Sequence, residues 1–148
     1  MKIYLDVCCF NRPFDDQSQE RIRLEAEAVL LILQRCEQGE LRLVGSNVIT
    51  TEIEQCPDPQ RRERVRMAAS EIEEMVNLGS MQVTRARELE RKGFRAMDSL
   101  HLACAESAKV DAFLATDDQL LRQSHRHNRV LRVTVENPLN WLANWGKK

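Results

Sequence analysis

MKIYLDVCCFNRPFDD (residues 1–16) opens with a short apolar run, Lys2 to Leu5, that ends on an acid, Asp6. The breaker cluster Asn11-Arg12-Pro13 follows. An apolar run this short, bounded by polar and turn residues, predicts a buried strand whose carboxyl end is Asp6. Beyond it, Ser18 offers a helix N-cap, and Ile22, Ala26, Val29, Leu30 and Leu33 recur at helical spacing. Leu24, Ala28, Leu31 and Ile32 widen that stripe, which predicts a well-buried helix closed by Gly39. Residues 41–44 read as a second strand and 47–55 as a short helix stopped at Pro57.

Asp58-Pro59 places an N-cap before a proline at the first helical position. Val65, Ala68, Ile72, Met75 and Val76 extend that helix toward Asn77-Leu78-Gly79. Residues 81–83 suggest a short strand, and 88–92 a polar helix ending at Gly93. From Met97 the chain turns small and apolar (Leu100, Leu102, Ala103, Cys104, Ala105), as a helix with little free surface. Residues 112–115 form another buried strand, followed by Thr116-Asp117-Asp118 and a helix through Leu121. Residues 130–135 alternate as a strand, and Asn137-Pro138 opens a last helix that packs through Trp141. Strands alternating with helices imply an α/β fold: a mostly parallel sheet with helices on both faces, in one domain over residues 1–148.

Composition removes several classes. Of 148 residues, 43% are hydrophobic and 30% charged, which is enough apolar surface to offset the entropy of ordering. No apolar run approaches the ~20 residues that span a bilayer, and the amino terminus lacks a secretory pattern, so a soluble cytoplasmic chain is expected. A net charge of −1 gives no general pull toward nucleic acid, although 17 of the 22 basic residues are arginine, the better phosphate donor. The five cysteines show no CxxC pair and read as small buried residues without a catalytic role.

The acids carry the chemistry. In open parallel sheets ligands bind beyond the carboxyl ends of the strands. Asp6 follows the first strand, Asp117 and Asp118 follow the strand at 112–115, and Glu52 lies on the helix after the second strand, with Glu54 as a competing choice. Asp98 sits near the start of the apolar helix, with His101 three residues on, placed either to orient Asp98 or to pack as a core histidine. Singly, Asp98 and Asp117 read as helix caps and Glu52 as solvated; as a set they converge on one rim. Converging carboxylates repel unless a cation neutralises them, and an all-oxygen set suits Mg²⁺ or Mn²⁺. Such an ion activates water and stabilises in-line displacement at a phosphodiester.

MKIYLDVCCFNRPFDD, SNVITTEI, AMDSLHLACA and FLATDDQLL together resemble the PIN-domain family, in order and over nearly the whole chain. The opening is similar to VapC-type toxin ribonucleases of bacterial toxin–antitoxin systems. The resemblance implies an α/β/α sandwich with a central parallel sheet and Mg²⁺- or Mn²⁺-dependent cleavage of single-stranded RNA. It also implies a homodimer restrained by a small antitoxin. The acidic set it carries over is Asp6, Glu52, Asp98 and Asp117, both as metal ligands and as catalytic residues. Asp117 is preferred to Asp118 because Leu120 then falls three positions on, as in the family motif. Cys8 stands where the family often has a hydroxyl or Asn, and Ala115 where it often has Thr, so a hydrogen bond behind the carboxylates is in question. Arg12 is a candidate for a substrate phosphate. A catalytically silent RNA- or protein-binding module is the alternative. A phosphatase with an aspartyl nucleophile is disfavoured, since the opening is Asp6-Val7-Cys8 rather than Asp-x-Asp.

Overall fold

The computed structural model describes residues 1–145. Strand β1 (Lys2–Leu5) lies at the centre of a five-stranded sheet of order β3-β2-β1-β4-β5, with every neighbouring pair parallel. β2 spans Arg42–Ser46, β3 Glu74–Val76, β4 Ala112–Leu114 and β5 Val135–Glu136. Ile3, Tyr4 and Leu5 are fully buried, as a strand covered on both faces requires. The helices are α1 (Val7–Asn11), α2 (Glu20–Glu37), α3 (Asn47–Glu54), α4 (Pro59–Ala69), α5 (Ser80–Arg91), α6 (Ala96–Ser107), α7 (Asp118–Arg126) and α8 (Pro138–Trp145). α2 packs with α8 and α5 with α6, and right-handed crossovers put these pairs on opposite faces of the sheet. The result is a three-layer α/β/α sandwich.

The strand order fixes where a ligand can bind. The chain builds outward from β1 through β2 to β3, then returns to the other side of β1 for β4 and β5. The two directions part between β1 and β4, and their carboxyl ends flank the crevice at that switch point. The Asp6 N–H donates to Leu114 O at 2.9 Å, which ties the two strand ends together there.

Four local expectations are corrected. The helix expected from Pro59 to Val76 ends at Ala69, and Glu74–Val76 pairs with β2 instead, with Gly45 opposite Met75. Tertiary pairing overrides the helical spacing of Ile72, Met75 and Val76. Residues 81–83 are helical, inside α5, whose first turn is closed by Gln82 Oε1 accepting from the Gly79 N–H at 2.8 Å. The strand expected over 130–135 shrinks to Val135–Glu136. The apolar stripe of α2 is narrower than expected: Leu24, Leu30 and Leu31 are 38%, 54% and 36% exposed, and Gln19, not Ser18, is the N-cap residue. Elsewhere the local signals hold. Asp58 caps α4 by accepting from the Gln60 and Arg61 N–H groups at 3.0 and 3.4 Å. Among the described residues no helix is long and apolar enough to cross a membrane.

Gly45 lets β3 close on β2. A Cβ at this position would lie 2.4 Å from Ile72 Cδ1 and 3.0 Å from Ile72 Cγ1. Gly45→Ala is expected to destabilise the fold by about 1–3 kcal/mol through overpacking, and Gly45→Ala/Ile72→Ala to recover part of it. Urea unfolding of the single and double variants measures the coupling; additive losses would show that Ile72 does not set the cost.

Candidate metal centre at the strand switch point

Asp6 leaves β1 at the crevice with its side chain buried. Its Oδ2 accepts from Cys8 Sγ at 3.2 Å, and its nearest cationic candidate is His101 Nε2, 3.7 Å from Oδ1. Burial without a strong partner pushes the Asp6 carboxyl well above the usual carboxylate range, and the neighbouring Cys8 adds to the rise. The Cys8 sulfur also accepts from the Thr116 N–H at 3.4 Å. The contact with the Cys9 thiol and the contacts to Thr116 lower the Cys8 pKa to about 6. The thiol thus fills the place of the expected hydroxyl or Asn behind Asp6, so this cysteine does have a part in the site.

Glu52 reaches the same point from α3. Ser46 caps that helix, its Oγ accepting from the Ile49 N–H at 3.4 Å. Glu52 Oε1 lies 2.8 Å from His101 Nε2, and His101 Nδ1 lies 2.7 Å from the Tyr4 hydroxyl, itself 2.7 Å from Ser46 Oγ. One proton arrangement satisfies the chain: Ser46 donates to Tyr4, Tyr4 donates to His101 Nδ1, and Nε2–H donates to the Glu52 carboxylate. Tyr4 suits the donor's part, because burial pushes its phenol well above its ordinary pKa. Its ring is fixed by stacking on Phe113, with centroids 5.2 Å apart. His101, fully buried, therefore orients Glu52 rather than Asp98. One ligand atom each of Asp6, Glu52 and His101 lies within 4.8 Å of the others.

Asp98 and Asp117 lie outside that group of ligand atoms, and Arg95 joins the two to each other. Its Nε donates to Asp98 Oδ2 at 2.8 Å and its Nη2 to Asp117 Oδ2. Burial raises the Asp98 pKa, with Arg95 opposing the rise. Asp117 is also penalised by burial, but Arg95 and the N–H groups of Gln119 and Leu120 hold it below its ordinary value. Asp117 is thus both helix cap and rim acid. Asp118 is turned to α2, where Arg21 grips it with both terminal nitrogens at 2.8 and 2.6 Å. Glu54 pairs with Arg66 at 2.7 Å. Arg12, the phosphate candidate, is committed to Asp15 at 3.2 Å and to buried Glu25 at 3.1 Å.

Asp6, Glu52 and His101 form a group that could hold a metal ion. The donors are chiefly carboxylate oxygens, and Asp6 is buried with a thiol as its main partner. Arg95 and Cys8 are the contributors that residue spacing did not reveal. Arg95 lies three residues before Asp98 on the same helical side, a spacing that signals an ion pair only once Asp98 is taken as buried. A separate cavity of about 650 Å³ lies at the opposite ends of β4 and β5, lined by Val110, Ser124, Leu131 and Val135 among others, away from this rim.

The chain is similar to a chain in the crystal structure of VapBC2 from Rickettsia felis bound to a DNA fragment from their promoter. The TM-score is 0.63 at 13% identity, over 93% of this chain and 98% of that one. No family model and no curated protein sequence matches the chain. The likeness therefore rests on the fold.

Two predictions test the electrostatics. The folded Asp6 pKa lies above that of the unfolded chain, so its contribution to stability is fully present below the unfolded pKa and is lost as pH rises through the folded value. Asp6→Asn in EDTA is therefore expected to raise the neutral-pH melting temperature by ~2–6 °C, with the gain fading toward pH ~4. A lower melting temperature would mean that Asp6 is not an uncompensated charge. Arg95→Ala removes the counter-cation of Asp98 and Asp117, so this variant should melt below the parent in EDTA and be raised more than the parent by saturating Mn²⁺. Equal Mn²⁺ shifts in both proteins would show that Arg95 does not share the cation's place.

Proposed function

We propose that this protein is a Mg²⁺- or Mn²⁺-dependent endoribonuclease of the PIN type that hydrolyses single-stranded RNA in the cytoplasm, as the toxin of a type II toxin–antitoxin pair. The observation that carries the reading is the buried Asp6 carboxylate, without a strong cationic partner, beside Glu52 at the strand switch point. The likeness to the VapBC2 fold and the four acidic motifs of the sequence support it.

Asp6, Asp98, Asp117 and Glu52 are the residues that would hold the ion. Bound there, it would lower the pKa of a water and stabilise charge on the phosphate in an in-line displacement. His101 Nε2–H holds Glu52 Oε1, which leaves Oε2 to accept the proton of the attacking water. Arg95 is half exposed, and its Nη1 makes no hydrogen bond among the described residues, so it can meet a phosphate oxygen while Nε and Nη2 stay on Asp98 and Asp117. A homodimer and a small antitoxin belong to the same reading, and the exposed Leu24, Leu30 and Leu31 of α2 supply apolar surface of the kind a second copy covers.

The test is cleavage of end-labelled single-stranded RNA by protein that has been denatured and refolded to strip any inhibitor. Cleavage in Mg²⁺ or Mn²⁺, absent in EDTA and in Asp6→Asn, is the expected result. Glu52→Gln should lower the rate by ~10²–10⁴-fold if Glu52 accepts the proton. Folded, metal-competent protein that cuts no RNA would favour a catalytically silent binding module. Cutting that survives Asp6→Asn would place the chemistry elsewhere.

A further inference from the structure

His101 is placed so that its imidazole can change from hydrogen-bond donor to metal ligand. The ring is fully buried on α6, and its Nε2 faces two carboxylates, Glu52 Oε1 at 2.8 Å and Asp6 Oδ1 at 3.7 Å. Asp6 is itself buried, and among the described residues its Oδ1 accepts no hydrogen bond, since the Cys8 thiol goes to Oδ2. Adjacent ligands each ~2.1 Å from one ion stand roughly 3–3.4 Å apart, so small side-chain shifts bring these three atoms to one centre. The ring is held in advance. It lies edge-on to Tyr4, with centroids 5.7 Å apart, and Tyr4 is stacked on Phe113.

What stands behind the ring decides what Nε2 can do. Nδ1 meets the Tyr4 hydroxyl at 2.7 Å, and that hydroxyl meets Ser46 Oγ at 2.7 Å. A carbonyl at Nδ1 would fix the ring hydrogen there, and an N–H would fix it on Nε2; a hydroxyl accepts either tautomer. In the arrangement described above, Nε2 carries the hydrogen and holds Glu52. In the reverse one, Nδ1–H donates to Tyr4, Tyr4 donates to Ser46 Oγ, and the Nε2 lone pair faces Asp6 and Glu52. Ser46 Oγ then accepts from Tyr4 and from the Ile49 N–H, and its own hydrogen turns to the neighbouring Cys104 thiol. The change moves one proton from Nε2 to Nδ1 and leaves the net charge as it was; the hydroxyls follow by rotation. A lone pair facing two carboxylates is repelled by them, so the reverse arrangement needs a cation in between.

We infer that His101 Nε2 is a ligand of the ion beside Asp6 and Glu52, and that the site therefore selects a first-row transition ion such as Mn²⁺ or Co²⁺ over Mg²⁺. The inference rests on the metal-dependent reading above and narrows its choice of ion. Mg²⁺ takes oxygen ligands and keeps its waters, whereas imidazole nitrogen suits the transition ions. A ligating histidine ordinarily donates its other N–H to an acceptor behind it, and the Tyr4 hydroxyl fills that part here. The imidazole contact is to Glu52 Oε1 alone, so Oε2 stays available to the attacking water in both arrangements.

The experiment uses the whole chain, stripped of metal, without RNA. Pulsed EPR of the Mn²⁺-loaded protein should show a nitrogen coupling that changes on selective ¹⁵N-histidine labelling and is absent in His101→Gln. Calorimetry with Co²⁺ and with Mg²⁺ gives the selectivity. His101→Gln should cut the Co²⁺ affinity by at least ~10–100-fold and the Mg²⁺ affinity by less, and Tyr4→Phe, which keeps the ring and removes its acceptor, should cut Co²⁺ affinity by ~10–100-fold. Circular dichroism checks that each variant is folded, and the coupling in the unaltered protein decides the matter if one is not. Bound Mn²⁺ without a histidine nitrogen coupling, or equal losses for the two ions, would overturn the inference. Histidine-coupled Mn²⁺ in protein that cuts no RNA would keep it and remove the nuclease reading; metal-dependent cutting with an uncoupled ion would do the reverse.

Discussion

The carboxylate of Asp6, buried where the central strand ends, is the constraint around which the rest of the structure is arranged. A charged group at that depth is costly unless something answers it, and the sheet order brings the ends of β2 and β4 to the same point. Glu52 arrives there beside His101, and Asp98 stands close enough to add repulsion, which worsens the electrostatics if the chain is considered alone. A metal ion held by the Asp6, Glu52 and His101 group would answer that cost. Affinity for that ion and reluctance of the empty site to hold full negative charge are two faces of one free energy.

Glu52 shows how a fold places a carboxylate from a distance. Its helix is capped by Ser46, and the same Ser46 hydroxyl starts the hydrogen-bond chain through Tyr4 and His101 that returns to Glu52. Helix position and side-chain orientation are thereby set by one residue at the end of β2. Tyr4 is itself part of β1, one residue before Leu5, and points into the layer that holds His101 rather than at the crevice. Two strands and two helices, β1, β2, α3 and α6, are thus coupled through these groups. Outer partners of this kind fix the orientation of the residues they hold.

Much of this was legible in the residue order, and the exceptions share a cause. Buried strands such as KIYL and AFL announce themselves by short apolar runs, and Asp58-Pro59 announces its helix by cap chemistry. Glu74–Val76 did not, because a strand of three residues at a sheet edge carries too little pattern to outweigh the helical spacing behind it. The acids were legible as positions at strand ends. Their partners were not: His101 serves Glu52, 49 positions away, and Arg95 bridges to Asp117, 22 positions away. Nothing in local spacing distinguishes these from a core histidine and a surface arginine. The exposure of Leu24, Leu30 and Leu31 fails to follow from periodicity for a related reason, since an apolar stripe says that a face is sticky and not what covers it.

The four carboxylates differ in what holds them before any ion arrives. Asp98 and Asp117 share a guanidinium, Glu52 takes an imidazole N–H, and Asp6 has only a thiol at close range. A chain with all four fully charged would fold against its own repulsion, so these interim partners let the rim assemble. They are graded in strength, and the weakest is at the deepest acid. A cation bound there would gain most at Asp6, the acid with the weakest partner, whose pKa burial raises. Were Asp98 and Asp117 also to hold it, as proposed, it would compete with Arg95, whose guanidinium sits on a flexible stem. The residue that neutralises the empty rim is then the one the proposed function would set beside a phosphate.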